Sequence, residues 1–222
     1  MKPGIEDQLR KMVESSTKRA AIAEWKEASE KQRRPLYNYR LDHVEEVVEL
    51  AKYIGESTDA DLEVVTLAAW FHDLAKPGVG GINAKDHGRV SGELAEDWLT
   101  KAGYDSEITS RVSDVIRKHV GLTLEKPLEP IEAQVLWEAD KILKLGFIGL
   151  IQYILNNIRI SAGLSLIEIS EKLHEFLPLA TKIARSVNTE RGREIADDRL
   201  QRLFVLSEML DSELNPGSDK HD

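Results

Sequence analysis

The sequence predicts an all-α protein, and three observations carry that expectation. Apolar residues recur at helical spacing over most of the chain, strand-like alternation is nearly absent, and turn residues fall between the periodic segments. At roughly 100–200 residues per domain, 222 residues make one large domain or two small ones. No repeat, low-complexity block or clear linker divides the chain, so a single domain over 1–215 is expected, followed by a flexible tail at 216–222.

The elements follow in order. A highly charged helix is expected over 4–32, with apolar positions Ile5, Leu9, Met12, Val13, Ile22 and Trp25, halting before Pro35. A second runs from about Leu41 to Ile54 and stops at Gly55. The third follows the cap candidates Thr58 and Asp59 and continues through VVTLAAWFHDLA to Pro77; being apolar almost all round, it belongs in the centre of the fold. Residues 78–83, GVGGIN, hold three glycines in six residues and read as a mobile lid. Asp86 can cap a helix over 87–101, and Asp105 another over about 106–119, closed by Gly121. Pro130 opens a long helix at its first turn, where a missing N–H costs nothing. Helices at 165–176, 178–187 and 189–213 complete the set.

Composition excludes several classes. The net charge of −9 argues against a general nucleic-acid binder, which needs a basic face to neutralise phosphates, although a local basic pocket for a small phosphorylated ligand is still allowed. With no cysteine there is no disulfide, no thiolate nucleophile and no Cys-ligated zinc. The longest uncharged stretch, 145–158, falls short of the about 20 apolar residues a membrane span needs. The charged N-terminus lacks a signal-peptide core. A soluble, cytoplasmic protein is the expectation.

Five helices share an oddity. The apolar stripe Val47, Leu50, Ile54 extends back one turn to His43. Leu62, Val65 and Ala69 lead to His72, with Asp73 beside it. Val90, Leu94 and Trp98 continue back to His87; Ile108, Val112 and Val115 end at His119; Leu136, Ala139 and Leu143 bracket Asp140. A polar group on a core-facing stripe points inward, and a buried carboxylate is costly unless a cation or hydrogen bonds compensate it. Four imidazoles and two carboxylates converging from five helices suit a divalent metal: Mn, Fe, Co, Ni or Zn, with Mg allowed. Each residue also has a plainer use. A lone histidine on an apolar stripe is often a hydrogen-bonded core residue, His119 could meet the carbonyl end of its helix, and Asp140 could pair with a Lys or Arg. The convergence of all six, in a chain with six histidines, favours the metal. His174 lies outside the constellation and reads as structural; His221 lies in the tail.

His43, then His72-Asp73, then Asp140 resembles the H…HD…D signature of the HD-domain metal-dependent phosphohydrolases. AAWFHDLAKP looks like that family's central helix and EADKILKLG like the helix carrying its last aspartate, a resemblance covering about 38–150. It implies an HD-type helical bundle around a buried helix carrying the His-Asp pair, with His43, His72, Asp73 and Asp140 around one divalent ion. His87 and His119 sit where binuclear members place further ligands, so one ion or two can be held, with Asp73 as the bridge. Small stand-alone members include hydrolases of nucleotides, which implies hydrolysis of a phosphate ester or anhydride in a small phosphorylated metabolite. Two alternatives stay open: a di-iron oxidoreductase, and a non-catalytic nucleotide-binding sensor. A homodimer through the first helix is also open.

The chemistry would need cations beyond the metal. Asp73 could ligate an ion and orient the attacking water. Lys76, four residues after His72 on the expected helix, could hold a phosphate oxygen and stabilise transition-state charge, or simply satisfy a helix end. Lys144, one turn beyond Asp140, is a second candidate for substrate binding; Lys118 and Lys141 flank ligand positions and could equally be solvated. Arg193, Arg199 and Arg202 have Asp197 and Asp198 as nearby ion-pair partners.

Overall fold

The computed structural model describes residues 3–24, 38–76, 85–160 and 165–215, and every regular element among them is a helix. They are α1 (Ile5–Glu24), α2 (Tyr39–Gly55), α3 (Leu62–Phe71), α4 (His87–Lys101), α5 (Ser106–Lys118), α6 (Ile131–Ile142), α7 (Gly146–Ile160), α8 (Leu166–Arg185) and α9 (Glu190–Leu214). None is long and apolar enough to cross a membrane. The expected lid at 78–83, the far end of the first helix and the tail at 216–222 lie outside the described residues. Two compact units are distinguished: Met1–Gly121 with Pro127–Asp140, and Leu122–Lys126 with Lys141–Asp222.

In the first unit α3 is the buried centre, as its all-round apolar sequence predicts. Val64 through Phe71 are all buried, with α2 and α5 packed against it and α4 against α5. Asp61, rather than Thr58 or Asp59, caps α3 by accepting from the Glu63 and Val64 amides. Its carboxylate satisfies two otherwise orphaned donors, which neither earlier residue is placed to do. Asp105 caps α5 as expected, accepting from Glu107 and Ile108, and Asn38 caps α2. Asp86 stands at the N-cap of α4 without a side-chain cap bond. The buried stripe of α1 is Ile5, Leu9, Val13, Thr17 and Ala20. Arg10–Glu45, Lys52–Glu6 and an Asn38–Thr17 hydrogen bond of 2.9 Å tie α1 to α2 and its N-cap.

The structure departs from the expected α4 face. Leu94 is 42% exposed, and the buried positions are Gly88, Ser91, Gly92, Ala95 and Leu99. Small residues form the packed face because α4 lies close on α5: a Cβ on Gly88 would stand 2.5 Å from Val120 Cγ2, and one on Gly92 3.0 Å from the Ser113 carbonyl oxygen.

In the second unit α9 packs against α7 and α8. Two boundaries differ from the sequence expectation. The long helix opened by Pro130 ends at Ile142, and a new one starts at Gly146, whose φ of +70° breaks the helical path. Conversely, α8 runs unbroken through Pro178. Its buried stripe, Ile169, Leu173, Leu177, Ala180 and Ala184, passes the proline at regular spacing, so packing outweighs the local penalty. Ser165 and Glu168 form a capping box at its start. Asp211 of α9 accepts from Ser170 and pairs with His174 of α8, the structural use expected for that histidine. Arg202 pairs with Asp198.

Candidate metal centre

The centre forms where α3 ends. His72 is the C-cap of α3 and residues 72–75 continue as turns, with Leu74 N–H donating to Phe71 O and Lys76 N–H to Asp73 O. The expected continuation of this helix to Pro77 is therefore corrected. His72 and Asp73 leave a helix end rather than sit within a helix, and Lys76 is one tight turn from Asp73. Pro77 favours this, because the residue before a proline avoids helical angles.

Five side chains surround the two oxygens of Asp73. His43 Nε2 is 3.7 Å and His72 Nε2 3.6 Å from Oδ2. His87 Nε2 is 3.5 Å and His119 Nε2 3.7 Å from Oδ1, and these two ring nitrogens are 3.1 Å apart. Lys76 pairs with Oδ2. Asp140 Oδ1 stands 3.3 Å from His43 Nε2. His43 with His72, and His87 with His119, thus form two sets that share one carboxylate, each tight enough to hold an ion. All the expected ligand candidates come together: α2 contributes His43, the end of α3 contributes His72 and Asp73, α4 contributes His87 at its first residue, the C-cap of α5 contributes His119, and α6 contributes Asp140.

The donor set fits a metal. His72 and His119 each donate Nδ1–H to a carbonyl, Ala69 O and Ile116 O, three residues earlier. That bond fixes the tautomer and leaves a lone pair on Nε2 aimed at the cluster, as in metal-ligating histidines. His72 Nε2 and Asp73 Oδ1 are buried without any hydrogen bond, a costly state for polar atoms unless a cation completes them. Burial lowers the His72 pKa to about 3, against the pull of Asp73 and Asp140, so the ring is neutral and ready to ligate. Burial likewise lowers His43, with Asp140 opposing. Burial alone would raise the Asp73 carboxyl, yet Lys76, His72 and His119 hold it well below the usual carboxylate range. Burial would lower Lys76, but Asp73 and Asp140 raise it, so it stays charged.

Lys118 pairs with Asp114 and donates to the Glu129 carbonyl. Lys144 belongs to the second unit. A narrow, largely enclosed cavity beside the centre brings in residues the sequence reading missed. Val13 and Thr17 of α1, Arg40 of α2 and Trp70 of α3 line it together with His43 and Lys76. Arg40 lies one turn before His43, so extending that stripe back by another turn would have found it. A tryptophan inside a buried apolar stretch carries no such signal.

The HD domain family model matches residues 40–145. The chain is also 30% identical over 181 residues to the uncharacterized protein YpgQ of Bacillus subtilis, an overlap of 80% of this chain and 84% of that one. This protein belongs to the HD-domain family. The HD-domain fold extends to solved relatives: the crystal structure of Bacillus subtilis YpgQ in complex with ADP superposes with a TM-score of 0.66 at 24% identity, covering 96% of this chain and 99% of that chain. An HD-superfamily hydrolase from Bacillus thuringiensis superposes with a TM-score of 0.61 at 15% identity, covering 93% and 98%. The α1 helix of this HD-domain protein, with Val13 and Thr17, precedes the matched segment.

Proposed function

We propose that this protein is a metal-dependent phosphohydrolase that cleaves a phosphate ester or anhydride in a small phosphorylated metabolite, a nucleotide being the first candidate. One observation carries the proposal: two histidine pairs face opposite oxygens of a single buried carboxylate, Asp73. Membership of the HD-domain family supports it, and the ADP complex of the relative YpgQ supports a nucleotide as ligand.

His43, His72, Asp73 and Asp140 would hold one ion; His87 and His119 would hold a second, sharing Asp73. A divalent ion bound there supplies Lewis acidity toward a phosphoryl oxygen and makes water a stronger acid. The protein's own residues do the rest. His72 and His119, each locked by a carbonyl bond at Nδ1, turn Nε2 toward the centre as the ligating atom. Asp73, kept ionised, is the acceptor that orients the attacking water. Lys76 stands as a cation against Asp73; with that carboxylate engaged by an ion, its ammonium is available to a phosphate oxygen.

The test is a screen of nucleotides and phosphomonoesters with metal-stripped protein, reconstituted separately with Mn, Co, Ni and Mg, the products identified by phosphorus NMR. Cleavage of a phosphate bond only in metal-loaded samples is the expected result. Oxygen consumption by an iron-loaded sample, with no phosphate released under any metal, would replace the proposal with the oxidoreductase reading.

A further inference from the structure

One residue that lines the narrow cavity beside the centre carries an unused polar group. Trp70 is 6% exposed and lines the cavity with Val13 and Thr17 of α1, Arg40, His43 and Lys76. Its indole Nε1 is buried and has no hydrogen-bond partner. The indole N–H can only donate, and leaving a buried donor unsatisfied is expensive. Phenylalanine or leucine would fill a buried helix position at no such cost, so the N–H needs a use. Trp70 also borders an open groove with Glu45, Glu49 and Lys52. The cavity, unlike the groove, is shared with His43, Asp73 and Lys76 of the centre.

The cavity's other polar members choose the partner's chemistry. Arg40, a buried guanidinium stacked 5.1 Å from the Tyr39 ring centre, and Lys76 both bring positive charge. A donor-only N–H on a residue that lines one cavity with two cations and the residues of the candidate metal centre fits an oxyanion. Val13 and Thr17 bring α1 into the lining of this narrow space, which suits a compact group.

We propose that Trp70 is a substrate contact, its indole N–H donating to an oxygen of the phosphorylated ligand in the cavity that α1 helps to line. This rests on the phosphohydrolase reading and adds to it the residue that grips the phosphate arm from the α3 side.

The experiment follows the sequentially assigned Trp70 indole 1H–15N resonance of the Mg-loaded full chain during titration with ADP and, separately, inorganic phosphate. Saturable movement of the Trp70 signal is expected, along with binding weakened about tenfold in Trp70→Phe, the scale of one hydrogen bond to a charged group. If ADP or phosphate moves other resonances around the centre while Trp70 stays fixed, the proposal is overturned and the phosphohydrolase reading stands. If neither ligand moves any resonance, the Trp70 contact is overturned, and the phosphohydrolase reading is decided separately by the cleavage screen. Because the titration uses the wild-type chain, it decides the matter even if Trp70→Phe does not fold.

Discussion

Asp73 is the side chain shared by both halves of the centre, so a single replacement tests the whole arrangement. Asp73→Asn keeps the shape and removes the charge. Turnover should fall at least about a hundredfold, since metal-based charge stabilisation is worth several kcal/mol. Metal content by mass spectrometry should fall with it, while helical circular dichroism persists. Lys76→Met asks a different question. If the ammonium holds a phosphate, kcat/KM drops about ten- to a hundredfold with metal content unchanged; a change within twofold leaves Lys76 as no more than the partner of Asp73. These residues could be picked out in the sequence for a physical reason. A histidine or aspartate interrupting an apolar stripe is visible as a break in pattern, and His43, His72, His119 and Asp140 each make one. Trp70 makes no break, so its part in the cavity could not be seen before the structure placed it there.

At the scale of elements, the approach of α4 to α5 brings His87 to His119. Gly88 and Gly92 lie one turn apart on the α4 face that meets α5, and a Cβ at Gly88 would lie 2.5 Å from Val120 Cγ2 and 3.3 Å from the Ile116 carbonyl oxygen. Gly88→Ala gains about 1 kcal/mol of helix propensity but overpacks the contact at a cost of about 1–3 kcal/mol. A lower urea midpoint is expected, together with weaker binding of a second metal equivalent as the two imidazoles separate. An unchanged midpoint and full metal content would show that the helices yield easily. The sequence pointed instead to Val90, Leu94 and Trp98 as the inner face, because a hydrophobicity pattern weights large side chains and is blind to close packing through glycine. In the second unit, the hydrogen bond from Ser170 and the neighbouring His174 hold the Asp211 carboxyl below its ordinary value. A depressed carboxyl contributes stability above about pH 3.8, its unfolded value, and loses it as pH falls through the folded value. Asp211→Asn should therefore flatten the acid side of the stability profile, below pH 4, and leave its shape above pH 5 unchanged.

For the whole molecule, the chain order explains why composition shows no linker. Residues 122–126 group with the second unit, 127–140 return to the first, and 141 onward belong to the second again. A chain that passes between units three times leaves no single linker for composition to reveal. The position of the centre then makes a prediction about cooperativity. His43, His72, Asp73, His87, His119 and Asp140 all lie in the first unit. An ion that binds only the folded site at a hundred times its dissociation constant adds about 2.7 kcal/mol, which slows amide exchange through global opening of that unit about a hundredfold. Hydrogen exchange of stripped and Mn-loaded protein should show this slowing in α3, α5 and α6, with α8 and α9 unaffected. Equal slowing in α8 and α9 would mean that the metal's binding energy reaches both units, and that residues 1–215 unfold as one cooperative domain.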